Sequence, residues 1–378
     1  TVPEILGDRF GPGARMLSVI ALVIAYMVIV SYQFNAGGAV LNTVLMDETG
    51  NSLISIQTGT IIAAIFIIAY TMLAGLVSVA YTDVANGIII IFSFVIAIPI
   101  FLAQAGGFSG MAASFEAMGK PEHMNFFGVY STMDIFNFCL PPFLLIMGDA
   151  NMYQRFFASK NAKGAEQATK VLIFAVLLAE LMIIFSAWVV SSMIPDAEVG
   201  KYVLIYAAHK LLPTFLGAIM MTTIVGIIIS TADSFLLVPA TTLMRDVYLN
   251  YINPKANEKK IVLLSRVLVL GLGIIAYIVS LGFAKSSGFF ERALYAYTIY
   301  GAAITPSLVA ALFWKRATKE GAVVSILTGT VTTLLWKEAA FIQNIIPQNI
   351  YNNMDEVLPA ITLSVVSLVV VSLLTKKN

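Results

Sequence analysis

The sequence predicts an all-α polytopic membrane protein, a bundle of transmembrane helices, and three observations lead to this fold class. Of the 378 residues, 59% are hydrophobic and 11% are charged, whereas a soluble domain has about 45–50% and about 25%. The mean hydropathy is +0.89. The apolar residues also form continuous runs that can cross a bilayer core, which takes about 20 residues. This composition excludes an ordinary soluble enzyme and a disordered chain.

Ten apolar runs are predicted to be transmembrane helices, and their continuity excludes the alternating pattern of a β-barrel. The first and sixth runs are long enough to include extra turns. Pro141 and Pro142 lie in the fourth run and should break or bend that helix, because both lack a backbone donor. The predicted spans are 15–45, 53–75, 79–106, 131–150, 168–194, 213–243, 261–283, 289–314, 319–337 and 356–375.

Glycines inside the predicted spans indicate where two helix backbones approach closely, since glycine has no side chain to separate them. The candidates are Gly37, Gly38, Gly271, Gly273 and Gly301.

Lysine and arginine are concentrated in alternate connections between the spans. The basic connections are 151–170, 244–266 and 313–320, and Lys376 and Lys377 end the chain, whereas the first connection holds Asp47 and Glu48 and no base. Because cytoplasmic loops carry the excess of Lys and Arg, we predict ten crossings of a cell membrane with both ends of the chain inside.

Several function classes are excluded by charge and by the scarcity of metal-binding side chains. The net charge is +1, and without a basic patch no nucleic-acid partner is expected. The single cysteine, Cys139, and the two separated histidines, His123 and His209, favour neither a disulfide framework nor a Cys/His metal site. No catalytic motif is present, so the chain is not predicted to be an enzyme.

Four acidic residues fall inside the predicted spans: Asp83, Asp149, Glu180 and Asp233. A charge at mid-bilayer costs at least about 2.5–3.5 kcal/mol, and we expect no lysine or arginine at a depth comparable to that of these acids. The group therefore calls for a metal ion, a proton or a cationic solute. For any single acid the alternative is a protonated or interfacial structural group, which we favour for Asp149 and Glu180.

The segment around Asp233 is the strongest candidate for a cation site. Ser230, Asp233 and Ser234 stand at i, i+3 and i+4 and share one helix face, with Thr231 beside them. Isolated hydroxyls in membrane helices usually bond to the i−4 carbonyl. Four polar residues in five, one of them charged, instead offer the oxygen ligands that a hard cation prefers.

Five segments carry motifs that are specific when taken together. The segments are Thr1–Leu6 with Arg9 and Phe10, Gly75–Leu76 with Tyr81–Val84, Tyr153–Phe156 with Ala158–Lys160, Ser230–Ser234 with Arg245–Tyr248, and Leu312–Thr318 with Gly321 and Ala322. In this order they resemble the sodium:solute symporter family, which includes sodium/proline, sodium/glucose and sodium/pantothenate cotransporters. One departure is Asn86, which stands near where the family usually has glutamine.

The resemblance implies an inverted five-helix-repeat transporter fold in a single transmembrane domain, 1–378. The core helices would occupy about 15–314, and two additional C-terminal helices would occupy about 319–375. It also implies that one peripheral helix and the first two core helices precede Thr1 and are lacking here.

The resemblance further implies sites for sodium and solute. The principal sodium site maps to the Ile227 carbonyl and the hydroxyls of Ser230 and Thr231, and a second cation site maps to Asp83, Ser230, Asp233 and Ser234. Many members carry serine where this chain has Asp233, and several carry aromatic residues near Pro142 and Ile146. The candidate solute residues, each of which could instead serve helix packing, are Gln33, Asn35, Pro142, Tyr297, Thr298 and Tyr300.

The function implied is secondary active transport, in which sodium is the coupling ion and drives symport of a small organic solute by alternating access. Two alternatives remain at this point. One is a proton- or other cation-coupled carrier that uses Asp83, Asp233 and Glu180 as relays. The other is a sensory membrane domain.

Overall fold

A computed structural model describes residues 1–46, 51–73, 75–195, 202–283 and 288–375. These residues are mainly helical, as predicted, and include a 3₁₀ turn at Pro121–Met124 and a π-helix at Leu243–Ile252. Asp47, Glu48, Lys376 and Lys377, which entered the topology prediction, lie outside the described residues. The α-helices are α1 Val2–Phe10, α2 Pro12–Val44, α3 Ile56–Leu73, α4 Leu76–Gln104, α5 Gly107–Ala117, α6 Thr132–Gly148, α7 Ala150–Phe157, α8 Ala162–Ser191, α9 Val203–Lys210, α10 Thr214–Thr242, α11 Glu258–Phe283, α12 Phe289–Phe313, α13 Lys319–Glu338, α14 Ala340–Ile345, α15 Gln348–Tyr351 and α16 Val357–Leu374.

Each predicted span coincides with a long helix, but the number of crossings is not confirmed. Nine helices in the described part of the chain are long and apolar enough to span a membrane. The predicted ninth span is the 20-residue helix α13, which is not among them. Lysine and glutamate occupy both of its ends, and threonines interrupt its apolar stretch, so its hydropathy is low for its length.

The break predicted at Pro141 and Pro142 lies elsewhere. Both prolines are inside α6, which continues to Gly148. The helix ends at Asp149, whose extended backbone (φ −60°, ψ 112°) separates α6 from α7. Near this end, the hydroxyl of Thr305 on α12 donates to the carbonyl oxygen of Leu144 at 2.7 Å. The neighbouring helix therefore binds carbonyl oxygens in the last turns of α6.

Three of the five predicted glycine contacts join helix backbones closely. A Cβ on Gly38 of α2 would lie 2.7 Å from the Ile56 carbonyl oxygen of α3, and one on Gly301 of α12 would lie 2.6 Å from Leu144 Cβ of α6. Gly37 similarly faces Ala63. Gly273 makes room for the Ile68 side chain, but the prediction is wrong for Gly271, which faces open space with nothing within 4 Å.

Helices α2, α10 and α12 form the centre of the bundle. Helix α12 packs against α2, α6 and α13, and α10 packs against α2 and α4. The fully buried rings of Tyr26 on α2 and Tyr300 on α12 stack at a centroid distance of 5.4 Å. The central helices therefore meet through large side chains directly beside the break between α6 and α7.

Helix α10 runs on without interruption into the π-helix Leu243–Ile252. Asp246 in this segment is buried, accepts a hydrogen bond from the Thr1 hydroxyl at 2.7 Å, and lies 3.8 Å from Nε of Arg15 on α2. The π-helix thus connects the end of α10 to α1 and α2.

Candidate functional site

Three polar contacts fix how α4 lies against α10. The Asn86 side chain donates to the Gly226 carbonyl at 3.3 Å, and the hydroxyls of Ser93 and Thr223 are 2.7 Å apart. One helical turn before Asn86, the carboxylate of Asp83 accepts a hydrogen bond from the Ser230 hydroxyl. The predicted neighbours on different spans, Asp83 and Ser230, are therefore in direct contact.

Asp233 is the most unusual charged residue of the site. Its exposed fraction is 0%, and within the described residues neither carboxylate oxygen has a hydrogen-bond partner. The amide and hydroxyl of Ser234 lie nearby, and Asp83 is close enough for the two carboxylates to interact electrostatically. Because a buried charge requires a partner, this carboxylate calls for a cation or a proton.

Arg155 supplies a positive charge that the sequence analysis did not place at this depth. It extends from α7, and its Nη2 lies 2.6 Å from Oδ2 of Asp83 and 3.1 Å from the Ser234 hydroxyl oxygen. Its Nη1 donates to the side-chain oxygen of Asn151. The expectation that no base reaches the buried acids is therefore wrong for Asp83. The available signal was the position of Arg155, a few residues after the predicted interrupted helix.

The other principal-site candidates lie on the same stretch of α10. Ile227, Ser230 and Thr231 are all partly buried, at i, i+3 and i+4 of one helix, so they share a face. This face offers two hydroxyls and one backbone carbonyl, which is chemically suitable for a hard cation. A shell of five or six oxygens, about the number such a cation takes, needs further ligands from outside this face.

Asp149 is bound within a second polar cluster, at the break between α6 and α7. Its Oδ1 accepts hydrogen bonds from the Tyr26 hydroxyl at 2.5 Å and from the Asn151 amide at 3.1 Å. Tyr300 binds both sides of the same break, because its hydroxyl donates to the Gly148 carbonyl at 2.7 Å and accepts from the Ala150 amide at 3.1 Å. These contacts support the structural interpretation of Asp149.

The candidate solute residues do not all face open space. Three are partly buried, namely Gln33, Pro142 and Tyr297, and the Tyr297 hydroxyl lies 3.2 Å from that of Tyr32. The other three are buried and bonded: Asn35 donates to the Ser280 carbonyl, Thr298 to that of Leu294, and Tyr300 to that of Gly148.

Glu180 differs from the other acids because its side chain is exposed on α8.

Comparison with known proteins identifies the family. The profile of the sodium:solute symporter family matches residues 1–329. The chain belongs to the sodium:solute symporter family. Family membership confirms the resemblance on which the sequence analysis relied, and it makes the protein a transporter of the cell membrane rather than an enzyme.

The similar symporters are distant in sequence and cover the whole chain. The high-affinity proline transporter PutP of Bacillus subtilis is 26% identical over all of this chain and 77% of its own length. The sodium/proline symporter of Escherichia coli K12 is 23% identical over all of this chain and 73% of its own length.

A solved structure of a Na⁺-coupled sialic acid symporter in a substrate-bound, outward-open state shares the fold. It has a TM-score of 0.76 and 15% sequence identity, and the match covers 100% of this chain and 78% of that one. The inverted-repeat transporter fold predicted from the sequence is confirmed by this likeness.

Proposed function

We propose that this symporter couples the inward movement of sodium to that of a small organic solute by alternating access. The observation that carries the proposal is the fully buried, unpaired carboxylate of Asp233 among the described residues, next to Ser234 and one turn from Ser230. A sodium ion at this place would compensate the charge and use the hydroxyl oxygens of the same helix.

Two cation positions are proposed on α10. Adjacent faces of this helix carry ligands for each of them. The principal one uses the Ile227 carbonyl and the hydroxyls of Ser230 and Thr231. The second uses Asp83, Ser230, Asp233 and Ser234. Ser230 belongs to both, so occupancy of one position should affect the other through a shared ligand.

The solute is proposed to bind near the paired hydroxyls of Tyr32 and Tyr297, with Gln33 and Pro142 as further candidates. Of these four residues, Gln33, Pro142 and Tyr297 are partly accessible, whereas Tyr32 is buried. In the proposed single domain, the core helices at about 15–314 carry both sites, and the C-terminal helices α13 and α16 pack on each other beside α12.

Uptake into proteoliposomes tests the proposal. An inward sodium gradient should drive accumulation of one member of a solute panel that includes proline and sialic acid, because these are the solutes of the similar proteins. The same solute should raise the melting temperature only when sodium is present. Accumulation driven by a proton gradient without sodium would instead favour proton coupling, for which the unpaired Asp233 is the specific observation.

A further inference from the structure

The second cation position is partly occupied by a group of the protein itself. Arg155 Nη2 contacts Asp83 Oδ2 and the Ser234 hydroxyl oxygen. These are two of the oxygens assigned above to the second cation. The guanidinium therefore stands where an ion would find its ligands.

We propose that Arg155 competes with the coupling ion for the same ligands. When the ion leaves, the guanidinium of Arg155 takes its place on Asp83 and Ser234. The inference rests on the proposed sodium coupling. The two cations exclude each other, because two positive charges a few ångströms apart repel strongly in a partly buried site. Both also need the same oxygen lone pairs.

The placement of Arg155 allows such an exchange. The side chain is 31% exposed and that of Asp83 is 24% exposed, so the pair is within reach of water and gives up little on separating. In contrast, Asp233 is fully buried and accepts no hydrogen bond from the guanidinium in the described part of the chain. Arg155 thus binds the ligand oxygens of Asp83 and Ser234 in the second cation position. The Asp233 carboxylate is left for an ion or a proton.

The break at Asp149 gives Arg155 a means of moving. Arg155 lies on the eight-residue helix α7, which begins directly after the extended residue Asp149. A change of angle at this residue would carry the guanidinium away from Asp83 without unwinding α6 or α10. The Tyr26 and Tyr300 hydroxyls bind this same break, which links the exchange to the centre of the bundle.

The test compares Arg155→Gln with the wild type in sodium-dependent thermal stabilisation and in sodium-driven uptake by the full chain. Without the competitor, the half-saturating sodium concentration should fall about fivefold, a change equivalent to a partly exposed ion pair of about 1 kcal/mol. Maximal uptake should fall at the same time, because the Arg155 guanidinium no longer displaces sodium when the ion is released into the interior of the vesicle. A merely structural role for Arg155 would not produce tighter sodium binding.

Two further variants make the result decisive. Arg155→Lys keeps the charge but cannot bind Asp83, Ser234 and Asn151 at the same time. Its half-saturating sodium concentration should lie between those of the wild type and Arg155→Gln. Lys170→Gln, which removes an exposed cation paired with Glu166, should bind sodium like the wild type. Weaker or unchanged sodium binding in Arg155→Gln would overturn the competition. No sodium response in the wild type would instead contradict the proposed function itself.

Discussion

The Tyr26 hydroxyl donates a 2.5 Å hydrogen bond to the Asp149 carboxylate, and both residues are buried. Tyr26 lies on α2, whereas Asp149 is the residue between α6 and α7. This one contact therefore holds the break against a central helix.

Removing this hydroxyl should loosen the break. We expect Tyr26→Phe to lower the free energy of unfolding by about 1–3 kcal/mol, because the buried Asp149 carboxyl loses a hydrogen-bond donor. Thermal unfolding in detergent measures the change. Tyr70→Phe is a matched control, since that hydroxyl makes only a 3.3 Å bond to Thr82 and should cost much less. Equal losses in the two variants would argue against a special role for the Asp149 contact.

The hydroxyls of the principal sodium site should matter more for ion binding than for folding. Ser230→Ala and Thr231→Ala are each expected to raise half-saturating sodium about tenfold or more, because each removes a ligand oxygen from a charged ion. Sodium titration of solute uptake gives the value. Thr222→Ala removes an exposed hydroxyl on the same helix, one that bonds to the Ala218 carbonyl, and should leave the value unchanged. An unchanged value in Ser230→Ala or Thr231→Ala would remove that residue from the site.

Asp83 and Asp233 are expected to act on one cation. A double-mutant cycle with Asp83→Asn and Asp233→Asn should then show non-additive effects on the affinity for the coupling ion, since groups that share a partner couple by about 0.5–3 kcal/mol. The four variants are compared by sodium titration. Additive effects would mean that the two carboxylates serve separate purposes.

In the absence of sodium, Asp233→Asn should stabilise the fold. The expected gain is about 1–3 kcal/mol, because an unpaired buried carboxylate costs more than an unpaired amide of the same shape. Asp246→Asn provides the contrast, since Asp246 is equally buried but is partnered by Thr1 and Arg15. That variant should lose stability in the same sodium-free melting experiment. Destabilisation by Asp233→Asn would show that its carboxylate already has a favourable environment.

Close packing of α6 and α12 depends on Gly301. Gly301→Ala should destabilise the fold by about 1–3 kcal/mol, because its Cβ would overlap Leu144 of α6. Gly271→Ala is the control in a helix with open space, where alanine should stabilise by up to about 1 kcal/mol. Similar melting temperatures for the two variants would contradict this account of the interface.

Hydropathy and helix periodicity were sufficient for much of this architecture. The long apolar runs predict the helices, and the i, i+3, i+4 spacing places Ser230, Asp233 and Ser234 together on α10. Contacts between segments that are distant in the sequence are harder to predict, because the sequence does not show which other residue a long side chain reaches. Arg155 was read as part of a basic connection, yet its guanidinium extends to Asp83.

The end of α6 illustrates a second limit. Pro141 and Pro142 are the usual signals for a helix break, but the helix continues past them to Gly148. Tyr300 looked like a solute residue, since a tyrosine in a membrane span offers a hydroxyl. Its actual partners are backbone groups of Gly148 and Ala150, which no spacing rule in the sequence specifies.

The π-helix after α10 has a consequence for insertions and deletions. A π turn holds one more residue than an α turn, so Leu243–Ile252 is a place where chain length can change by one residue without shifting Ser230 or Asp233, which precede it. A deletion within 243–245 would, however, rotate Asp246 around the helix axis and away from Arg15, because the helix before it would lose one residue. Length variation in descendants of this sequence should therefore be tolerated after Asp246 and rejected before it.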